Sequence, residues 1–81
     1  MIEQCDQYAV ADIKKAEEVR LASYGTGFVF ELSWADEQTW IYTENGPLVA
    51  RKTTDIHKVL REIKEINPKI DITYCISDAD L

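Results

Sequence analysis

Cys5, Cys75 and His57 are the sharpest chemical groups in this chain, which has two cysteines and one histidine. A thiol beside an imidazole makes a nucleophile when a third group orients the base. His57 falls just off the apolar stripe of a helical segment. Cys75 falls on a strand segment, on the side opposite Ile70, Ile72, Tyr74 and Ile76. Neighbouring positions offer no orienting group, so these read as a surface histidine and a packed thiol. A zinc site is not indicated either, because there is no CxxC pair and only one histidine. A Cys5–Cys75 disulfide would require the two ends of the fold to meet. The start, Met1-Ile2-Glu3-Gln4-Cys5-Asp6, lacks the basic and apolar regions of a secretion signal. That points to a cytoplasmic protein with two free thiols.

Carboxylates are plentiful: Glu17-Glu18, Asp36-Glu37, Asp78 and Asp80. General acid–base catalysis needs two of them converging on a substrate in a cleft. Here they fall on a helix face, a turn and a tail, which reads as solvated charge. Asp78-Ala79-Asp80 is too short for a calcium loop, which takes about 12 residues with spaced oxygen ligands. Gly25-Thr26-Gly27 could present N–H groups to a phosphate, but such loops lead into a helix and this one leads into a strand. The chain therefore reads as a non-enzyme with no metal site and no cofactor.

Charge is more informative. The 81 residues carry 15 acidic and 9 basic side chains, net -6. A general nucleic-acid binder would show the opposite balance. The charge is also polarised. Residues 1–50 hold three basic and nine acidic groups, net -6. Residues 51–69 hold six basic groups against three acidic ones, net +3, and residues 70–81 add three acids. Arg51, Lys52, Lys58, Arg61 and Lys64 of the basic strip are thus the alternative site, a face that could contact phosphates. No apolar run approaches the ~20 residues of a membrane helix, so no membrane partner is expected.

The elements that must position these groups follow from periodicity. Asp6 to Ala22 is rich in Ala, Glu, Lys and Arg and reads as a helix. Ala9, Val10, Ile13 and Leu21 fall on one side of it, with Glu17 intruding. Its tail, Val19 to Tyr24, also alternates and reads equally as a strand entering the Gly25-Thr26-Gly27 turn. Phe28, Phe30, Leu32 and Trp34 alternate as a half-buried strand. Thr39 to Thr43 is β-branched and aromatic, a second strand. Asn45-Gly46 predicts a type I′ hairpin in which Thr43 faces Leu48 and Trp40 faces Arg51, a pairing suited to a cation–π contact.

Thr53 or Thr54 then caps a helix with the stripe Ile56, Val59, Leu60, Ile63 and Ile66, and with Lys58–Glu62 and Arg61–Glu65 pairs on its wet side. Asn67-Pro68 ends it. Ile70 to Ile76 alternates as a last strand, and Ser77 to Leu81 is an acidic tail. The order is α-β-β-β-α-β: a single α+β domain over 1–81, with an antiparallel sheet and two helices packed on one face. Its first five elements resemble the order of the double-stranded-RNA-binding domain, which implies RNA contact through the second helix. The Lys cluster that opens that domain's second helix is replaced here by His57-Lys58.

With helices on one sheet face, the other face meets solvent or a partner. Glu31, Asp36, Glu37 and Glu44 lie on or between strands that carry Trp34, Trp40 and Tyr42. Trp34 reads as core. The remaining set, Glu31, Asp36, Glu37, Trp40, Tyr42 and Glu44, suits a protein-binding surface: aromatic anchors supply contact energy and an acidic field speeds capture of a basic partner. In size and charge the chain resembles small acidic inhibitors carried by phages and mobile elements, including anti-restriction and anti-CRISPR proteins. That resemblance implies a basic, nucleic-acid-handling protein as partner. The other classes are a nucleic-acid-binding module built on residues 51–69 and an accessory subunit of an enzyme. An exposed strand edge would also give a homodimer a route.

Overall fold

Alternating burial settles the segment that reads as either helix or strand. In the computed structural model, which describes residues 1–74, the first helix α1 spans only Ala9–Lys15. Ala16 turns extended, and Glu18–Tyr24 forms strand β1. Val19 and Leu21 are fully buried while Arg20 between them is exposed. A helix would set positions 19 and 21 about 200° apart and leave one of them in water; a strand buries both on one face. The expected helix from Asp6 to Ala22 is therefore half helix, half strand.

Strand β2 spans Gly27–Trp34 and β3 spans Glu37–Trp40. The β1–β2 hairpin closes on Gly25-Thr26, pairing Tyr24 with Gly27 and Arg20 with Glu31. The β2–β3 hairpin closes on Ala35-Asp36, pairing Trp34 with Glu37 and Glu31 with Trp40. Ala35 sits at φ 48, a left-handed conformation uncommon for a residue with a Cβ. The chain then leaves the sheet. Tyr42–Thr43 (β4) and Gly46–Pro47 (β5) form a separate small hairpin.

That hairpin corrects the expected register. Thr43 pairs with Gly46 and Tyr42 with Pro47, so Glu44-Asn45 is the turn and Gly46, at φ 124, sits just after it. The Thr43 hydroxyl fixes this shift, donating to the Gly46 carbonyl (2.9 Å) and accepting from the Asn45 N–H (3.2 Å). Trp40 consequently faces Glu31, and Arg51 lies by Thr26, its Nε 3.4 Å from the hydroxyl. The Trp40–Arg51 cation–π pair does not form. Lys15 instead lies over the Trp34 ring, 4.8 Å from its centroid. Beyond the small hairpin the chain returns to the β2 edge, where Phe28 and Ala50 exchange both backbone bonds at 2.9 Å. Gly27 permits this approach. A Cβ there would lie 2.7 Å from Val49 Cγ1 and 2.8 Å from the Ala50 carbonyl oxygen.

Helix α2 spans Thr53–Ile66, and β6, Asp71–Tyr74, joins the sheet parallel to β1. The crossover through α2 makes the parallel pairing, so the four-stranded sheet β3-β2-β1-β6 is mixed rather than wholly antiparallel. The order α-β-β-β-α-β and the α+β class stand, although the three central strands are β1, β2 and β3 rather than a set reaching Arg51. Val19, Leu21, Phe30 and Leu32 of the sheet share one core with Ala9 and Ile13 of α1 and Ile56, Val59, Leu60 and Ile63 of α2. Both helices thus cover the same face. Trp34 packs against that core, as a core aromatic should.

Several end contacts differ from expectation. The residue preceding α2 is Lys52, and neither Thr53 nor Thr54 caps it; Asp55 does sit in the first turn. Glu62 pairs with the N-terminal ammonium at 3.4 Å instead of Lys58, and no Arg61–Glu65 bridge forms among the described residues. Asn67 does more than stop α2. Its Nδ2 donates to the Ile13 and Ala16 carbonyls, each at 2.9 Å, satisfying groups at the end of α1 that a helix terminus leaves unpaired. Among the described residues no helix is long and apolar enough to cross a membrane.

Candidate functional site

The sheet face away from the helices carries the candidate site. Strand alternation puts Arg20, Tyr24, Val29, Glu31, Gln38 and Trp40 on it. Val29 faces away from the main core yet is only 1% exposed. Tyr24 and Trp40 meet edge to face with centroids 5.3 Å apart, and Tyr42 lies beside Trp40 at 6.4 Å and 35°. The geometry of the first pair is the favourable one for aromatic rings. Tyr24 and Tyr42 remain 44% and 40% exposed, so the cluster is a shelf rather than a core.

Glu31 stands at the centre. Its Oε1 accepts from Arg20 Nη2 at 2.6 Å and from Gln38 Nε2, and its Oε2 accepts from Trp40 Nε1 at 3.3 Å. The carboxylate side chain is 12% exposed and the guanidinium side chain 47%. Three donors from the two flanking strands, β1 and β3, therefore converge on one acid, and that acid fixes the Trp40 ring. Two shallow depressions flank it and share Arg20, Glu31 and Gln38 along their common wall. One, of about 280 Å³, is completed by Glu18, Ser33, Ala35, Asp36 and Glu37. The other, of about 440 Å³, is completed by Thr39, Trp40 and Tyr42. The result is a groove with an acidic end and an aromatic end.

Of the residues expected to bind protein, the fold brings Glu31, Asp36, Glu37, Trp40 and Tyr42 together along this groove. Glu44 sits exposed in the β4–β5 turn and lines neither depression. Glu31 is an internal partner of Arg20, whereas the carboxylates of Glu18, Asp36 and Glu37 make no ion pair or hydrogen bond with the described residues. Tyr24, Arg20, Gln38 and Glu18 share this face with them without having been among the residues expected there. Their signal was the Gly25-Thr26 turn: once Tyr24 faces Gly27, Arg20 faces Glu31.

The basic strip is more dispersed. Lys58 and Arg61 lie exposed on one face of α2, Lys52 precedes the helix and Arg51 lies by Thr26. Lys64 is committed elsewhere: its ammonium donates to the Ile70 carbonyl at 2.6 Å and to the Pro68 carbonyl at 3.3 Å, closing the α2–β6 loop. His57 is exposed on α2. Cys75, Ile76, Asp78, Asp80 and the acidic tail lie outside the described residues. Cys5 is a half-buried free thiol, and burial pushes its pKa up, reinforced by Asp6 and Glu62 and opposed by the N-terminal ammonium. Among the described residues no three His, Cys, Asp or Glu side chains converge as metal ligands. Comparison with family models, with curated proteins and with solved structures gives no match for this chain.

Proposed function

We propose that the protein is a non-enzymatic binding module that takes a basic segment of another protein into the groove on its open sheet face. The observation that carries this reading is the groove's two-part lining. Glu18 and Asp36, whose carboxylates have no partner among the described residues, line one end together with Glu37, and Trp40 and Tyr42 line the other. A half-buried Trp40 held by a hydrogen-bonded acid, beside the exposed Tyr42, is the kind of rigid contact that dominates interface energy. The acids beside them, unpaired among the described residues, supply steering and selectivity for a cationic partner. Glu31 acts differently in this scheme from the other acids: saturated by three donors, it holds Trp40 and Arg20 in place rather than docking a ligand. Basic surfaces are common on proteins that handle nucleic acid, and an acidic module seated on one would work as its inhibitor.

The test is a pull-down in which each captured protein is followed across variants and salt. Capture of a basic protein at low salt, lost in Asp36→Lys/Glu37→Lys and in Trp40→Ala and weakened at high salt, is the expected result. Capture that ignores both the variants and the salt would overturn the reading. Lys58→Glu/Arg61→Glu serves as the control on the opposite face of the domain and should leave capture intact.

A further inference from the structure

The groove runs beside a strand edge whose hydrogen bonds are not used within the described chain. β3 is the last strand of the sheet on its side. Ile41 N–H donates to the Phe30 carbonyl at 3.0 Å, which fixes the phase of the β2–β3 ladder. In an antiparallel pair, hydrogen-bonded and non-bonded positions alternate. Phe30–Ile41 is a bonded position, so Leu32–Thr39 and Trp34–Glu37 are bonded too. Gln38 and Trp40 fall at the non-bonded positions, and their N–H and C=O groups point away from β2. The chain gives these groups little. The Thr39 hydroxyl reaches the Trp40 carbonyl at 3.3 Å, and the segment that follows turns off, with the Ile41 carbonyl accepting from Leu48 and the Tyr42 carbonyl from Asp6.

This edge is short and lies directly against the site. The two residues whose backbone groups face outward are the two whose side chains wall the groove and bind Glu31. Natural proteins usually blunt such edges because they template strand pairing. Here the edge ends in Asp36 and Glu37 on one side and in Tyr42 on the other. We propose that the partner adds to β3 as an extended strand, exchanging backbone bonds with Gln38 and Trp40 while its cationic side chains lie by Asp36 and Glu37. This mode of binding rests on the reading of the groove as a site for a basic protein segment. Charge selects the occupant: a second copy of this chain brings net -6 to a chain of net -6, whereas a basic strand is attracted. Main-chain bonds supply affinity in such strand addition, and alternate side chains supply selectivity.

The probe is an acetylated, amidated peptide of alternating lysine and valine, compared with the same peptide N-methylated at every second amide. Binding is followed by backbone NMR and amide hydrogen exchange. In the free protein the Gln38 and Trp40 amides should exchange fast while Thr39 and Ile41 are protected. With the unmodified peptide, Gln38 and Trp40 should become protected. The N-methylated peptide, which cannot donate along one edge, should bind at least about tenfold more weakly. Equal binding of both peptides without new protection would overturn strand addition and leave the groove reading standing. Binding of neither would overturn the groove reading itself. Protection of Gln38 and Trp40 before any peptide is added, with or without a dimer in sedimentation, would show the edge already occupied and overturn the proposal.

Discussion

Replacing Glu31 by Gln separates an acid that holds the groove together from acids that meet a ligand. The Glu31 carboxylate serves Arg20 and Gln38 on one oxygen and Trp40 on the other. A Gln side chain keeps one accepting oxygen and turns an NH2 group toward the remaining donor. The Arg20 contact is a cross-strand ion pair with a half-exposed guanidinium, so screening keeps it near about 1 kcal/mol. The Trp40 contact at 3.3 Å is long and adds about 0.5–1 kcal/mol. The expected loss is about 1–2 kcal/mol, which for a domain of this size lowers Tm by about 5–15 °C. The assay is thermal unfolding, paired with the Trp40 indole N–H resonance, which should move when the carboxylate goes. Asp36→Asn and Glu37→Gln should stay within about 3 °C of wild type, since surface changes away from partners cost little. A Glu31→Gln protein that melts with wild type and keeps its indole resonance would refute the reasoning, as would an Asp36→Asn protein that melts equally early.

Three further outcomes follow from the packing. Asn67→Asp, though isosteric, should be less stable than Asn67→Ala in chemical denaturation, because it sets a carboxylate against the Ile13 and Ala16 carbonyls; Asn67→Ala itself should cost about 1–2 kcal/mol. Gly27→Ala should cost about 1–3 kcal/mol, since the new methyl meets the Ala50 carbonyl oxygen that accepts from Phe28; an unchanged midpoint would contradict that close approach. In a Cys75→Ser background, alkylation of Cys5 should need a pH above the usual thiol range of about 8.5. Because the folded pKa is raised, the stability linked to this thiol is full below the unfolded value and is lost as pH rises through the folded one. An alkylation midpoint at or below that of a free thiol would contradict the burial.

The sequence carried the helix α2, the β2 alternation and the last strand, because each has a single period over enough residues. It carried the α+β class and the helix-free sheet face for the same reason. The α1–β1 junction was ambiguous because Ala, Glu and Arg favour a helix locally while Val19 and Leu21 gain burial only once β2 and β6 lie on either side. The Asn45-Gly46 turn misled because the Thr43 hydroxyl stabilises a turn at Glu44-Asn45, one residue earlier, which moves the partner of Thr43 from Leu48 to Gly46. At the site, the types of Trp40, Tyr42, Asp36 and Glu37 were legible. The role of Glu31 was not, since its three donors come from β1 and β3 and converge only through a register set by two hairpin turns. The sequence places Lys64 in the basic strip that could contact phosphates and Asn67 at the helix stop; their carbonyl contacts appear only when α2 meets its neighbours.

On the proposed reading the open sheet face, not α2, is the binding surface. The most direct measurement is a chemical-shift map of the protein titrated with a basic peptide at low salt, then at high salt. Perturbations centred on Asp36 to Tyr42 and on Arg20 and Tyr24, fading as salt rises, are the expected result. Perturbations centred on Lys58 and Arg61, or none at all, would contradict it.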